Sequence, residues 1–130
     1  MNKLLLVAAS ILGVTAVILG AFAAHGLKAL ISLESQQVFE TGVRHQMYHA
    51  LVLLFVGSTP LFSVKTKRYV LYLMVFGVLF FSGSIYALAT NELSSFDFKS
   101  IGFITPIGGL LLIMSWVVML VNFIKLKRDN

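Results

Sequence analysis

Ten residues concentrate the chemistry available to this chain: Glu40-Thr41-Gly42-Val43-Arg44-His45-Gln46-Met47-Tyr48-His49. They run directly into the apolar stretch Ala50 to Phe62, and charges beside hydrocarbon persist only when they pair, reach an interface or line a wet cavity. At about 100° per residue, Glu40, Arg44 and Tyr48 fall on one line of a helix and Thr41, His45 and His49 on the next. With His25, the group offers a cation, a carboxylate, a phenol, an amide and imidazoles that titrate near neutral pH. The candidate polar cluster is therefore His25, Glu40, Arg44, His45, Gln46, Tyr48 and His49.

Metal ligation is the sharpest chemistry these types could do. His45 and His49 stand one turn apart and His25 follows the first apolar run, so three imidazoles and a water could in principle surround zinc. The metalloprotease pattern needs a glutamate after the first histidine, and Gln46, which cannot act as a general base, stands there. Haem ligation lacks an attachment motif. No cofactor is expected. Ser82-Gly83-Ser84 has neither the setting of a nucleophile elbow nor a base beside it, there is no phosphate-cradling glycine loop, and no catalytic role is expected. What the spacing supports is a hydrogen-bonded knot, with a pH-sensitive site for a small ligand, ion or lipid as the alternative.

The elements that must hold these side chains are membrane helices. The 130 residues are 58% hydrophobic and 12% charged, with a mean hydropathy of +0.94, far from the roughly one-quarter charged of soluble domains. Leu4 to Ala24 and Tyr69 to Thr90 carry no charge, and each matches the ~20 residues a helix needs to cross a bilayer. Ile101 to Ile124 is also uncharged, with Pro106 fitted to a first helical turn and Thr105 as its expected N-cap. The apolar stretch after His49 is short and needs length from an amphipathic lead-in over about residues 36–45. The expectation is one all-α domain, a four-helix membrane bundle with spans at about 4–24, 45–64, 69–90 and 104–124. A helix counted back from Val64 at 1.5 Å per residue would put Glu40 and Arg44 in a headgroup zone and His49 about one turn below. The first run could pass for a signal peptide ending near Ala21-Phe22-Ala23, but it exceeds the length of a usual h-region and is expected to remain as a span.

Charge orients this arrangement. Lys3, Lys65, Lys67, Arg68, Lys125, Lys127 and Arg128 fall on one side; Lys28, Arg44 and Lys99 fall on the other with Glu34, Glu40, Glu92 and Asp97. The positive-inside bias places both termini in the cytoplasm. The net charge of +5 is thus a topology signal, and nucleic acid is not an expected partner. The expected partners are the lipid bilayer and either a membrane-protein subunit or further copies of the chain. With no cysteine, neither disulfides nor thiolate chemistry is available. Ala16, Gly20 and Ala24 lie four apart, and with Gly83, Gly108 and Gly109 they supply the small residues that let membrane helices approach closely.

Four ordered segments carry a resemblance: Gly20 to Leu27, Phe39 to Leu51, Phe81 to Tyr86, and Ile104 to Gly109. Together they resemble the YgdD/YwdK-type family of small bacterial membrane proteins. The resemblance implies four spans in a bacterial plasma membrane and no particular activity. It maps onto His25, Gly26, Gln46, Met47, Tyr48, His49, Ser82, Gly83, Ser84, Thr105, Pro106, Gly108 and Gly109. Position 45, commonly aromatic in that pattern, is His45 here, so a mechanism needing both His45 and His49 is not a family-wide expectation. The function expected is that of a structural or accessory membrane component.

Overall fold

A computed structural model describes residues 1–127 of the chain. Arg128 of the basic side lies outside the described residues. Four long helices, α1 (Asn2–Ala24), α2 (Leu33–Ser58), α3 (Val64–Ala89) and α4 (Ile104–Ile124), pack side by side in chain order. On length and composition the segments Asn2–Ala24, Val64–Ala89 and Phe98–Ile124 can each cross a membrane. The second helix, which carries Glu34, Glu40, Arg44 and two histidines, does not reach that apolarity.

Local chemistry sets the helix ends. Ser32 caps α2, its hydroxyl accepting from the Ser35 N–H at 3.1 Å, and Ser63 caps α3, accepting from the Thr66 N–H at 3.2 Å. The α1–α2 connector is anchored by Gln36, whose amide nitrogen donates to the Lys28 and Ile31 carbonyls. The second helix differs from expectation at both of its ends. The second helix starts at Leu33, ahead of the expected lead-in at 36, and stops at Ser58, so residues 59–63 form a connector instead of continuing a helix to 64. Pro60 is the reason: it holds Thr59 extended, with φ −108° and ψ 146°.

The fourth helix runs from Ile104 with Phe103 at the N-cap, so Thr105 does not cap it. Its hydroxyl instead meets that of Ser84 on α3 at 2.5 Å. Pro106 still lies in the first turn, where a missing N–H costs no intrahelical bond. Between α3 and α4, two short 3₁₀ turns, Asn91–Leu93 and Phe98–Ile101, are tied together by the Phe98 N–H donating to Asn91 Oδ1 at 2.7 Å.

The interior is layered. At one end Leu5, Leu53, Val56, Phe62, Val70, Met74 and Met119 form an apolar core drawn from all four helices. This end gathers the start of α1, the 59–63 connector and the end of α4, so the start of α1 and the close of α4 lie together. Lys67, read from the sequence as one more surface charge of the basic side, is here only 4% exposed. Its ammonium donates to Asn2 Oδ1 at 2.8 Å and to the Thr59 carbonyl at 2.7 Å. A smaller core of Leu27, Ile31, Phe39 and Ala89 fills the opposite end.

Small residues bring the helices together, but not all those expected to. Ala16 is buried, Gly20 has Val43 at 3.5 Å from a built Cβ, and Gly109 has the Phe81 ring at 3.6 Å. Ala24 is exposed, and Gly83 has nothing within 4 Å of the place a Cβ would take, so neither joins two helices of this chain. Each points away from the neighbouring helices. The closest approach is at Gly108, where a Cβ would fall onto the backbone of Phe80 and Phe81, and Gly77 plays the reciprocal part, facing Leu112 on α4.

Candidate functional site

The expected polar cluster divides in two according to which side of α2 each residue occupies. Glu40 and Arg44 lie on the outer face, one turn apart, with a 3.4 Å contact and side chains 54% and 60% exposed. Tyr48 follows them on the same exposed line. His25 is exposed at the C-cap of α1. These four do not join the interior, and among the described residues no three His, Cys, Asp or Glu side chains come together as a metal-binding group.

The inner half is built around Gln46, 4% exposed. Its Nε2 donates to the Leu12 carbonyl at 2.9 Å and to Thr15 Oγ1 at 2.6 Å on α1; its Oε1 accepts from the Tyr86 hydroxyl of α3 at 2.7 Å. One amide therefore bridges three helices. One turn earlier, Ser82 Oγ donates to the Gly42 carbonyl at 2.7 Å. Gly42 leaves the room for this, since a Cβ there would come within 2.7 Å of the Tyr86 ring. Leu12 and Thr15 lie near the middle of α1, so the Gln46 bridge is a layer halfway along the bundle, between the two apolar cores. It also lies level with the middle of α2, which runs from Leu33 to Ser58.

The two histidines of α2 are held differently. His49 Nδ1 stands 2.6 Å from the His45 carbonyl, which can only accept, so this nitrogen carries the hydrogen. Nε2 then accepts from the Trp116 indole N–H of α4 at 3.1 Å. Both nitrogens are consumed, and the ring is a fixed neutral tautomer that cross-links α2 to α4. His45 Nδ1 likewise donates to the Thr41 carbonyl at 2.9 Å, while its ring packs against Phe81 at 5.0 Å between centroids. A cavity of about 290 Å³, lined by both histidines with Phe81, Gly109, Leu112, Ile113 and Trp116, lies between α2 and α4.

Thr15, Ser82, Tyr86 and Trp116 are the partners that sequence reasoning did not assign to this layer. A signal was present. Isolated polar groups in otherwise apolar spans need a partner in the bundle, and Ser82 and Tyr86 are one turn apart on one face of α3.

A layer of satisfied polar bridges across long apolar helices is the construction of a small polytopic membrane protein, in which side-chain hydrogen bonds lock helix positions. The chain belongs to the family described as "Protein of unknown function (DUF423)", whose match covers residues 19–109. It is 38% identical over 125 residues to the UPF0382 membrane protein YwdK of Bacillus subtilis, covering 95% of this chain and 98% of that one. It is 36% identical to the UPF0382 membrane protein SSP2132 of Staphylococcus saprophyticus, covering 95% and 99%. The UPF0382 inner membrane protein YgdD of Escherichia coli is 33% identical over 132 residues, 99% and 95% of the two chains. These relatives confirm the family expected from the four sequence segments. No solved structure matches the chain.

Proposed function

We propose that this protein is a small structural or accessory component of the bacterial plasma membrane, a four-span bundle with both termini on the cytoplasmic side. The observation that carries the reading is the use of Gln46 and His49, the inward-facing members of the polar cluster, in bridges between helices. Groups committed to cross-links stabilise a shape and leave little interior polarity for transport or catalysis. What supports a fourth span is the way α2 runs alongside α1, with Gly57 against Leu5 and Leu6 at one end and Val43 against Gly20 towards the other. Two neighbours of hydrocarbon thickness would cover its polar inner face.

Topology is testable because the chain has no cysteine. Lys65→Cys should resist a membrane-impermeant maleimide in intact cells and react after lysis. Glu92→Cys, in the connector at the opposite end, should react in intact cells. The reverse pattern would invert the proposed orientation.

A second reading, a pH-sensitive binder or carrier using the outer His/Arg/Tyr/Glu side, draws support from the cavity beside His45. The two separate in vesicles reconstituted with the full chain. The accessory reading expects proton flux equal to that of empty vesicles. It also expects Arg44→Ala to change stability by no more than about 0.5 kcal/mol, as for other exposed pairs. A flux that Arg44→Ala abolishes while the bundle stays folded would establish the carrier instead.

A further inference from the structure

The basic end of the bundle combines three features that point to one kind of ligand. Its described charged residues are all cations, Lys3, Lys65, Lys67, Arg68, Lys125 and Lys127, while the described acids, Glu34, Glu40, Glu92 and Asp97, belong to α2's first turns and the far connector. Lys65, Lys67 and Arg68 occupy the first turns of α3, where the helix dipole disfavours cations and favours an anion. The third feature is a groove of about 290 Å³ between α3 and α4 at this end, lined by Thr66, Val117, Val118, Val121, Asn122 and Lys125.

This groove is graded along its length. Lys125, Asn122 and Thr66 lie toward the end of the bundle, and the valines continue inward along α4. Thr66 Oγ1 accepts from Ser63 Oγ at 3.0 Å, which leaves its own hydrogen to donate. Asn122 is braced by donating to the Leu61 carbonyl at 3.1 Å. A cation and a hydroxyl donor above an apolar floor match an amphiphile with an anionic head, and basic pockets between membrane helices commonly hold phosphorylated lipid headgroups. The match depends on which residues share this end, not on which way the protein faces.

We propose that the α3–α4 groove binds one anionic phospholipid, its phosphate against Lys125 and the Thr66 hydroxyl and its acyl chain along Val117, Val118 and Val121. Lys67 takes no part, because its ammonium is already held inside the bundle by Asn2 and Thr59. The bound lipid would fill the groove between Thr66 of α3 and the valines of α4.

Native mass spectrometry of the full chain tests this, using detergent with equal amounts of phosphatidylglycerol and phosphatidylcholine of the same acyl chains. One phosphatidylglycerol should be retained about fivefold over phosphatidylcholine, the factor one interfacial lysine supplies. Lys125→Gln and Thr66→Val should each reduce that preference, whereas Lys127→Gln, outside the groove, should preserve it. Equal retention of the two lipids by the unaltered chain overturns the proposal, and that comparison stands even if a variant fails to fold. An equal loss in Lys127→Gln would assign the preference to diffuse surface charge and overturn the groove. Inorganic phosphate competing as well as phosphatidylglycerol at equal concentration would show that the acyl chain contributes nothing, and would overturn the lipid assignment.

Discussion

Gly108→Ala should separate α4 from α3. A methyl group at this position would overlap the Phe81 backbone nitrogen and come within 2.6 Å of the Phe80 carbonyl carbon. Backbone atoms inside a helix cannot rotate aside as a side chain can, so the helices must move apart along their shared seam. The Ser84–Thr105 contact lies one turn from this point and the Gly77–Leu112 contact one turn the other way, so both should loosen with it. Overpacking of this kind costs about 1–3 kcal/mol where side chains can yield, and the upper part of that range or beyond is expected here. Gly83→Ala is the matched control. It introduces the same methyl on α3 into open space and should be neutral, or stabilising by up to about 1 kcal/mol from helix propensity. Unfolding by increasing dodecyl sulfate in mixed micelles, followed by the fluorescence of Trp116, the single tryptophan, measures both. Equal midpoints for the two variants would contradict the close seam.

Gln46→Leu is the second large effect. Leucine nearly preserves the volume but removes three hydrogen bonds that join α1, α2 and α3. Interhelical hydrogen bonds in membranes average roughly 0.6 kcal/mol each, and the Tyr86 hydroxyl left without its acceptor adds a penalty of about 1 kcal/mol or more. A loss of about 2–3 kcal/mol is expected in the same unfolding experiment. The pairing can be isolated. Tyr86→Phe alone should cost about 1 kcal/mol, and combining it with Gln46→Leu should cost less than the two single changes together, because no orphaned hydroxyl remains. Strict additivity would mean that Tyr86 finds another partner and that Gln46 and Tyr86 do not act as one bridge.

Both effects arise at residues whose types were visible in the sequence but whose partners were not. Gly108 was marked in the sequence as a packing glycine, and in the structure it lies against the backbone of Phe80 and Phe81. Gly83 has the same residue type in an equally apolar span and faces outward. Helical period alone cannot distinguish them, because an all-apolar helix has no polar face to show which side is inside. His49 and Arg44 illustrate the same limit. The sequence placed both in one polar cluster, yet five residues along α2 carry His49 to the Trp116 indole and leave Arg44 on the outer face with Glu40.

Apolar run length and the charge asymmetry are legible without coordinates, whereas the Ser32 and Ser63 caps appeared only in the structure. The effect of Pro60 on the second helix became visible only in the structure, where α2 stops at Ser58. With α2 running from Leu33 to Ser58, Gln46 falls at its middle and bonds to the middle of α1. The sequence by itself therefore determined the class: a cysteine-free, all-helical membrane protein of a recognisable family, with positive charge gathered at one end. Only the tertiary structure decided that Gln46 bridges three helices, that His49 is closed by an indole and that Lys67 is buried. Such pairings join residues up to 67 positions apart, and depend on helix rotation and offset, which apolar composition does not encode.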